Sequence, residues 1–233
     1  MAGFKTHFTT STVLGMGYGT GALLFYNYPP STCILATGLC SLSGLLPDID
    51  SDSGVPMRES VAFVAAVVPM MAVGRLQSFG FSAEGVILAG GAIYIAIRYG
   101  LAEILRRYTV HRGMWHSLPA AMIAALIVFL LGSHDESNDL RIYKAGAVLL
   151  GFLSHLMLDE LYSLNLSRGG LRVKKSFGTA MKLWGSSLWA NVSTYGKLIF
   201  VAALAWADTC FHCIVEEHNF HGMAKEVIGR LLR

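Results

Sequence analysis

What most limits how this chain can fold is the recurrence of long apolar stretches along it. Residues 10–26, 31–46, 61–76, 83–105, 117–132 and 143–162 each approach the ~20 residues that a helix needs to cross a bilayer. A seventh stretch, 198–215, carries Asp208. Amides in hydrocarbon find no water to bond, so such stretches cross as helices, which pair their own N–H and C=O groups. Charged residues make up only 14% of the 233, against about 25% in soluble domains, too few to solvate a globular surface. Mean hydropathy is +0.52, which points the same way. The expected fold class is all-α: a polytopic transmembrane helical bundle of about six to seven spans, with a C-terminal amphipathic helix over 216–233 lying on the membrane.

The first ten residues hold one lysine and no long apolar core, so the first stretch is expected to remain as an anchor. Cys33, Cys40, Cys210 and Cys213 are too few, and too embedded in apolar sequence, for a disulfide framework. Residues 1–165 form the expected membrane core. Residues 166–233 supply a basic cytoplasmic segment, the last apolar stretch and the tail. Gly15, Gly17, Gly19, Gly21, Gly90 and Gly91 are expected at helix–helix contacts, because small residues let helices approach where packing replaces the hydrophobic drive. The Gly-Met-Gly-Tyr-Gly-Thr-Gly run lacks the preceding strand and following Lys-Ser/Thr of a phosphate loop.

Loop charge orients the bundle. Arg98, Arg106, Arg107 and Arg112 lie between the fourth and fifth stretches. Arg168, Arg172, Lys174, Lys175, Lys182 and Lys197 follow the sixth. The connection between the fifth and sixth instead reads Ser-His-Asp-Glu-Ser-Asn-Asp over 133–139. The positive-inside rule puts both basic segments and the N-terminus in the cytoplasm, and alternation puts the 48–59 loop there too.

Four polar stretches then fall at one membrane face. His7 precedes the first span; Leu-Leu-Pro-Asp-Ile-Asp at 45–50 ends the second. His-Arg-Gly-Met-Trp-His-Ser at 111–117 opens the fifth, and Ser-His-Leu-Met-Leu-Asp at 154–159 lies near the end of the sixth. His155 and Asp159 stand four apart and share a helix face. Asp48 and Asp50 follow a proline that ends the helix, so a short Asp-x-Asp can aim two carboxylates at one cation. His111 and His116 flank a glycine that permits a turn. Taken singly, each residue has a plain structural reading, as a helix cap or an interfacial side chain. Together they favour a metal, since ionisable groups at membrane depth are costly and usually paired or functional. Imidazole with carboxylate suits zinc first, then manganese or iron, ahead of calcium or magnesium.

Other candidates carry less. Cys210-Phe-His-Cys213 has C-x-x-C spacing with His218 and His221 downstream, but packing cysteines and an interfacial tail explain it more simply. His134, Asp135 and Glu136 read as a solvated loop on the opposite side. The Asn-x-Ser matches at Asn165 and Asn191 fall on the inferred cytoplasmic side, where they carry no weight.

These stretches resemble the YdjM-like family of bacterial inner-membrane proteins, described as metal-dependent hydrolases. The likeness rests on His7, Leu-Pro-Asp-Ile-Asp at 46–50, His-Arg-Gly-x-x-His-Ser at 111–117 and Gly-x-x-Ser-His-x-x-x-Asp at 151–159, over roughly 1–165. It implies that His7, Asp48, Asp50, His111, His116, His155 and Asp159 form a metal site. Ser51 stands where many members carry a histidine, which puts one ligand or proton shuttle in doubt; Trp115 stands where many carry threonine. The His/Asp-on-helix arrangement is more loosely similar to zinc-dependent phospholipases C, which makes a phosphoester the natural substrate.

The resulting expectation is a metal-dependent hydrolase of the bacterial inner membrane, multi-pass, with its site facing the cytoplasm. His7, Asp48, His111, His155 and Asp159 are the expected ligands. Asp50 and His116 serve a second ion or act as general base and acid, and Arg112 holds an anionic headgroup, with Lys174 and Lys175 beside it. Expected partners are membrane lipids and an anionic lipid or phosphoester substrate, with no nucleic acid. The rival readings are a metal-ion transporter or sensor using the same ligands, and a scaffold with a degenerate site.

Overall fold

Helix α1 (Phe4–Phe25) ends where Asn27 takes a left-handed φ of 52° and turns the chain. Helix α2 (Pro30–Ser43) starts on proline, whose missing N–H costs nothing at the first helical position. A 3-10 turn, Leu46–Asp50, follows. Helices α3 (Val55–Ser78) and α4 (Ala83–Ile95) come next, α4 capped by the Ser82 hydroxyl and prolonged by a π-helical segment, Ala96–Leu101. Ser117 caps α5 (Leu118–Leu131), and α6 (Asn138–Leu161) runs back beside it. A two-stranded antiparallel hairpin, β1 (Leu164–Ser167) and β2 (Gly170–Val173), leads towards α7 (Leu188–Leu231). This computed structural model describes residues 3–50, 55–101, 103, 114–133, 135–167, 170–173 and 181–231, without the side chains of 49–50, 55–59, 101, 164–167, 170–173 and 211–231.

The fold is an all-α bundle, but with fewer spans than expected. Among the described residues four segments are long and apolar enough to cross a membrane: Pro30–Asp48, Ser60–Ser78, Asn138–Leu161 and Leu188–Cys210. That corrects the expectation of six to seven. Helix α1 has 22 residues but is diluted by threonine, serine and glycine. Helices α5 and α4 stop at 14 and 13 residues. The stretch expected at 198–215 moves the other way, because its helix begins at Leu188. Lys197 therefore lies inside a helix and not on a basic loop. The last span and the tail are also one continuous helix, 44 residues long, where separate elements were expected.

Helices α1, α2 and α6 pack against one another, α5 packs on α6, and α7 on α5; α3 packs on α4 and touches α5 only sparsely. Close approach at α1–α2 depends on two glycines. A Cβ at Gly15 would stand 2.8 Å from the Thr37 carbonyl, and one at Gly19 2.9 Å from that of Cys33. The expectation of helix contact fails for Gly17, Gly21 and Gly91, where a Cβ would meet nothing within 4 Å among the described residues, while at Gly90 it would meet only Pro69. Cys33, Ala36, Leu39, Cys40, Ala147 and Val148 make the core between these helices. In lipid, such packing is the main cohesive force available.

One end of the bundle is tied by charge. Arg75 of α3 and Arg141 of α6 both donate to Asp208 of α7. Arg75 also reaches the Leu130 carbonyl at 2.8 Å, and Arg141, fully buried, bonds Phe129 O and lies over the Phe129 ring. This network explains how Asp208 is tolerated in an apolar helix. Nearby, buried Lys144 donates to Glu136, so that acidic residue is paired and not merely solvated as expected.

Candidate metal centre

The other end gathers imidazoles and carboxylates. Along α1 the buried residues are His7, Ser11, Gly15, Gly19 and Ala22, one stripe at helical spacing, so the stripe that packs on α2 carries His7 inward. Ser11 fastens it there, donating to Ser41 O at 2.9 Å. Buried Leu45 and Pro47 anchor the 3-10 turn that presents Asp48. His116 precedes the Ser117 cap of α5, and His155 and Asp159 occupy successive turns of the buried face of α6.

These five side chains meet. His7 Nε2 lies 3.4 Å from Asp159 Oδ1, and His116 Nε2 3.7 Å from Asp48 Oδ1. His155 Nε2 stands 3.6 Å from Asp48 Oδ1 and 3.9 Å from Asp159 Oδ2. The His7 and His155 rings stack at 3.6 Å, and the His116 ring meets that of His155 edge-on at 5.8 Å. Two overlapping trios, His7–Asp48–His155 and His116–His155–Asp159, each offer donor atoms within 4.8 Å of one another. Ligands about 2.0–2.1 Å from a tetrahedral ion stand roughly 3.3 Å apart, so this spacing is open by little more than a small relaxation.

The tautomer of His155 gives the cluster a direction. Its Nδ1 lies 2.7 Å from the carbonyl oxygen of Gly44. A carbonyl only accepts, so the proton is on Nδ1 and neutral His155 presents the bare lone pair of Nε2 to the two carboxylates. That nitrogen is fully buried and makes no hydrogen bond among the described residues, as is true of His7 Nδ1. A carbonyl holding the far nitrogen is the usual outer-shell support of a metal-binding imidazole.

Charge and exposure add to this. Two carboxylates buried among three imidazoles in an apolar bundle need positive charge close by. Asp48 is 18% exposed at its side chain, whereas His7, His116, His155 and Asp159 are 3% or less, so the centre opens to its surroundings at Asp48.

Of the residues singled out in the sequence, the structure brings together His7, Asp48, His116, His155 and Asp159. Asp50 belongs to the same 3-10 turn by its backbone, its side chain lying outside the described residues. His111, Arg112, Lys174 and Lys175 also lie outside them. Cys210 is a free, exposed thiol, and the side chains of Cys213, His218 and His221 are not among those described. Sequence reasoning missed two supports: the Gly44 carbonyl, and Trp115, whose Nε1–H donates to Leu46 O at 2.8 Å and braces the turn that holds Asp48. Only their nearness to the Leu-Pro-Asp and His-Ser runs hinted at either.

Comparison with known proteins adds a family. The model of a family described as "YdjM inner membrane protein" matches residues 1–173, a stretch that contains every residue of the cluster. No curated protein and no solved structure matches the chain. The protein is a member of the YdjM inner membrane protein family.

Proposed function

We propose that the protein is a multi-pass, metal-dependent hydrolase of phosphoesters whose centre faces the cytoplasm. The observation that carries this reading is the Gly44–His155 bond, which leaves Nε2 aimed at Asp48 and Asp159. His7, His116 and His155 with Asp48 and Asp159 would hold the ion, zinc before manganese or iron, because the donors mix imidazole and carboxylate. A divalent ion supplies a water of lowered pKa, about 7 in the best-known cases, and a polarised phosphoryl oxygen.

The chain's own residues do the rest. Asp48, the most exposed of the five, faces incoming substrate and water and accepts the proton that the water gives up. The water oxygen joins phosphorus, the bond from phosphorus to the alcohol oxygen breaks, and the proton passes to the departing alcohol. His7, His155 and Asp159, held between α1 and α6, keep the centre rigid and dry on its inner side. Arg112 and Asp50 keep the roles read from the sequence, as anion holder and as second-ion ligand or general base.

The cytoplasmic placement rests on loop charge: Arg98, Arg106, Arg107 and Arg112 precede α5, and α5 begins at the centre. The test is to purify the chain in detergent, measure bound metal, and assay a panel of phosphomonoesters and phosphodiesters. Zinc-dependent release of alcohol that disappears in Asp48→Asn is expected. Stoichiometric metal without turnover of any ester, but with metal flux into proteoliposomes, would replace hydrolysis by transport.

A further inference from the structure

Beside the centre runs an apolar groove whose shape narrows the substrate class. It has a volume of about 260 Å³ and lies between Leu42 of α2, Val68 of α3 and Ile123 and Ile127 of α5, floored by Val148 of α6. Leu46 and Trp115 line its near part. Those two residues are joined by the Trp115–Leu46 hydrogen bond and stand two positions before Asp48 and one before His116. Groove and centre are therefore neighbours through a shared wall.

The groove is about as long as half the hydrocarbon core. It follows α5 from Ala120 to Leu131, eleven steps of about 1.5 Å, or roughly 16 Å. Half the ~30 Å hydrocarbon core is about the same. Its far limit is tied, since Arg75 of α3 bonds the Leu130 carbonyl of α5 at 2.8 Å. Helices α3 and α5 touch only sparsely, which leaves room between them. Lys197, exposed, is the one charged residue lining the groove among the described residues, an ammonium suited to a phosphate.

What fills such a space follows from its surroundings. A cavity with apolar walls stays dry. Left empty, it forfeits dispersion contacts on every wall. In a bilayer the material at hand is an acyl chain. We infer that the substrate is a phospholipid of the leaflet next to the centre, one acyl chain lying in the α2–α3–α5 groove while its phosphate reaches Asp48. This rests on the hydrolytic reading above and specifies its substrate. Burial in the groove gains little hydrophobic free energy over the bilayer itself. Its effect is positional: a chain held along α5 brings the headgroup to a fixed place at the centre.

Photolabelling tests it. The full chain, loaded with zinc, is reconstituted into phosphatidylethanolamine–phosphatidylglycerol vesicles containing phosphatidylglycerol with a diazirine in mid-chain. After irradiation the adducts are mapped by peptide mass. Adducts should concentrate on Val64, Val68, Ile123 and Ile127, and Ala124→Trp, which fills the groove, should reduce them about tenfold. Labelling of the exposed Ile87 and Leu88 on α4 and the bound zinc should stay unchanged. Ile127→Trp replaces that variant if Ala124→Trp loses zinc. Adducts spread evenly over the groove and α4, or groove adducts indifferent to the tryptophan, would overturn the inference. Headgroup release is measured in the same vesicles, with glycerophosphate as a soluble control. Groove labelling without turnover of either ester keeps the lipid site and overturns the hydrolytic reading beneath it. Turnover of both esters, unaffected by Ala124→Trp, overturns the groove alone.

Discussion

His155 donates its Nδ1–H to the Gly44 carbonyl at 2.7 Å, linking residues 111 positions apart in the chain. The bond joins the C-terminal part of the buried face of α6 to the end of α2, and it decides which nitrogen of His155 looks into the cluster.

Removing either end of the His155–Asp159 pair should therefore empty the centre. Outer-shell partners alone are worth about 10–100-fold in metal affinity, so loss of a ligand should cost at least about a hundredfold. Metal analysis of His155→Ala and Asp159→Asn, purified without added zinc, is the measurement. Wild-type stoichiometry in both variants would sink the assignment.

Chelation should loosen the whole end of the bundle, since the cluster draws on α1, on α6, on the turn after α2 and on His116 ahead of the α5 cap. A ligand at about 100 times its Kd stabilises by about 2.7 kcal/mol. Thermal unfolding in detergent should fall on adding a chelator and recover with zinc. In His155→Ala the chelator should have no effect on Tm; an equal shift there would mean that the chelator acts elsewhere.

Gly151→Ala is expected to disturb stability and metal together. Its Cβ would run into the Cys40 carbonyl and the Ser43 hydroxyl, so α2 and α6 must part. Overpacking of this kind costs about 1–3 kcal/mol. His155 is one turn further along α6, and its bond to Gly44 stretches with the same displacement. A lowered Tm with undiminished zinc affinity would show that the α2–α6 spacing does not set the ligand geometry.

Asp208→Ala separates stability from chemistry. It takes the shared acceptor from Arg75 and from fully buried Arg141. Breaking a buried pair by one partner costs about 3 kcal/mol. Because the network is at the opposite end from His155, metal content should stay at the wild-type level while Tm drops. Loss of both would mean that the two ends are coupled through α6.

The membrane character was legible from the apolar stretches and the shortage of charge, because a bilayer constrains composition before it constrains shape. Span boundaries were less legible. Hydropathy does not register where a helix begins outside its apolar part, so residues 188–197 were taken for loop and Asp208 for a blemish. Arg75 and Arg141, far from Asp208 in sequence, are what make that carboxylate acceptable. The same holds for the glycines: composition marks all of α1 as small, while only packing distinguishes Gly15 and Gly19, which touch α2, from Gly17 and Gly21, which do not.

By itself the sequence marked His7, Asp48, His116, His155 and Asp159 as polar residues in or beside apolar stretches, and alternation counted over six such stretches led to the expectation that they share one face. Only the tertiary structure decided that their donor atoms come within a few ångströms of one another. It also decided the tautomer of His155 and the opening at Asp48. The reason is range. Periodicity and hydropathy act over a few residues, whereas a coordination-sized gap depends on how closely α1, α2 and α6 pack, and that is set by Gly15, Gly19 and Gly151 meeting carbonyls from another helix.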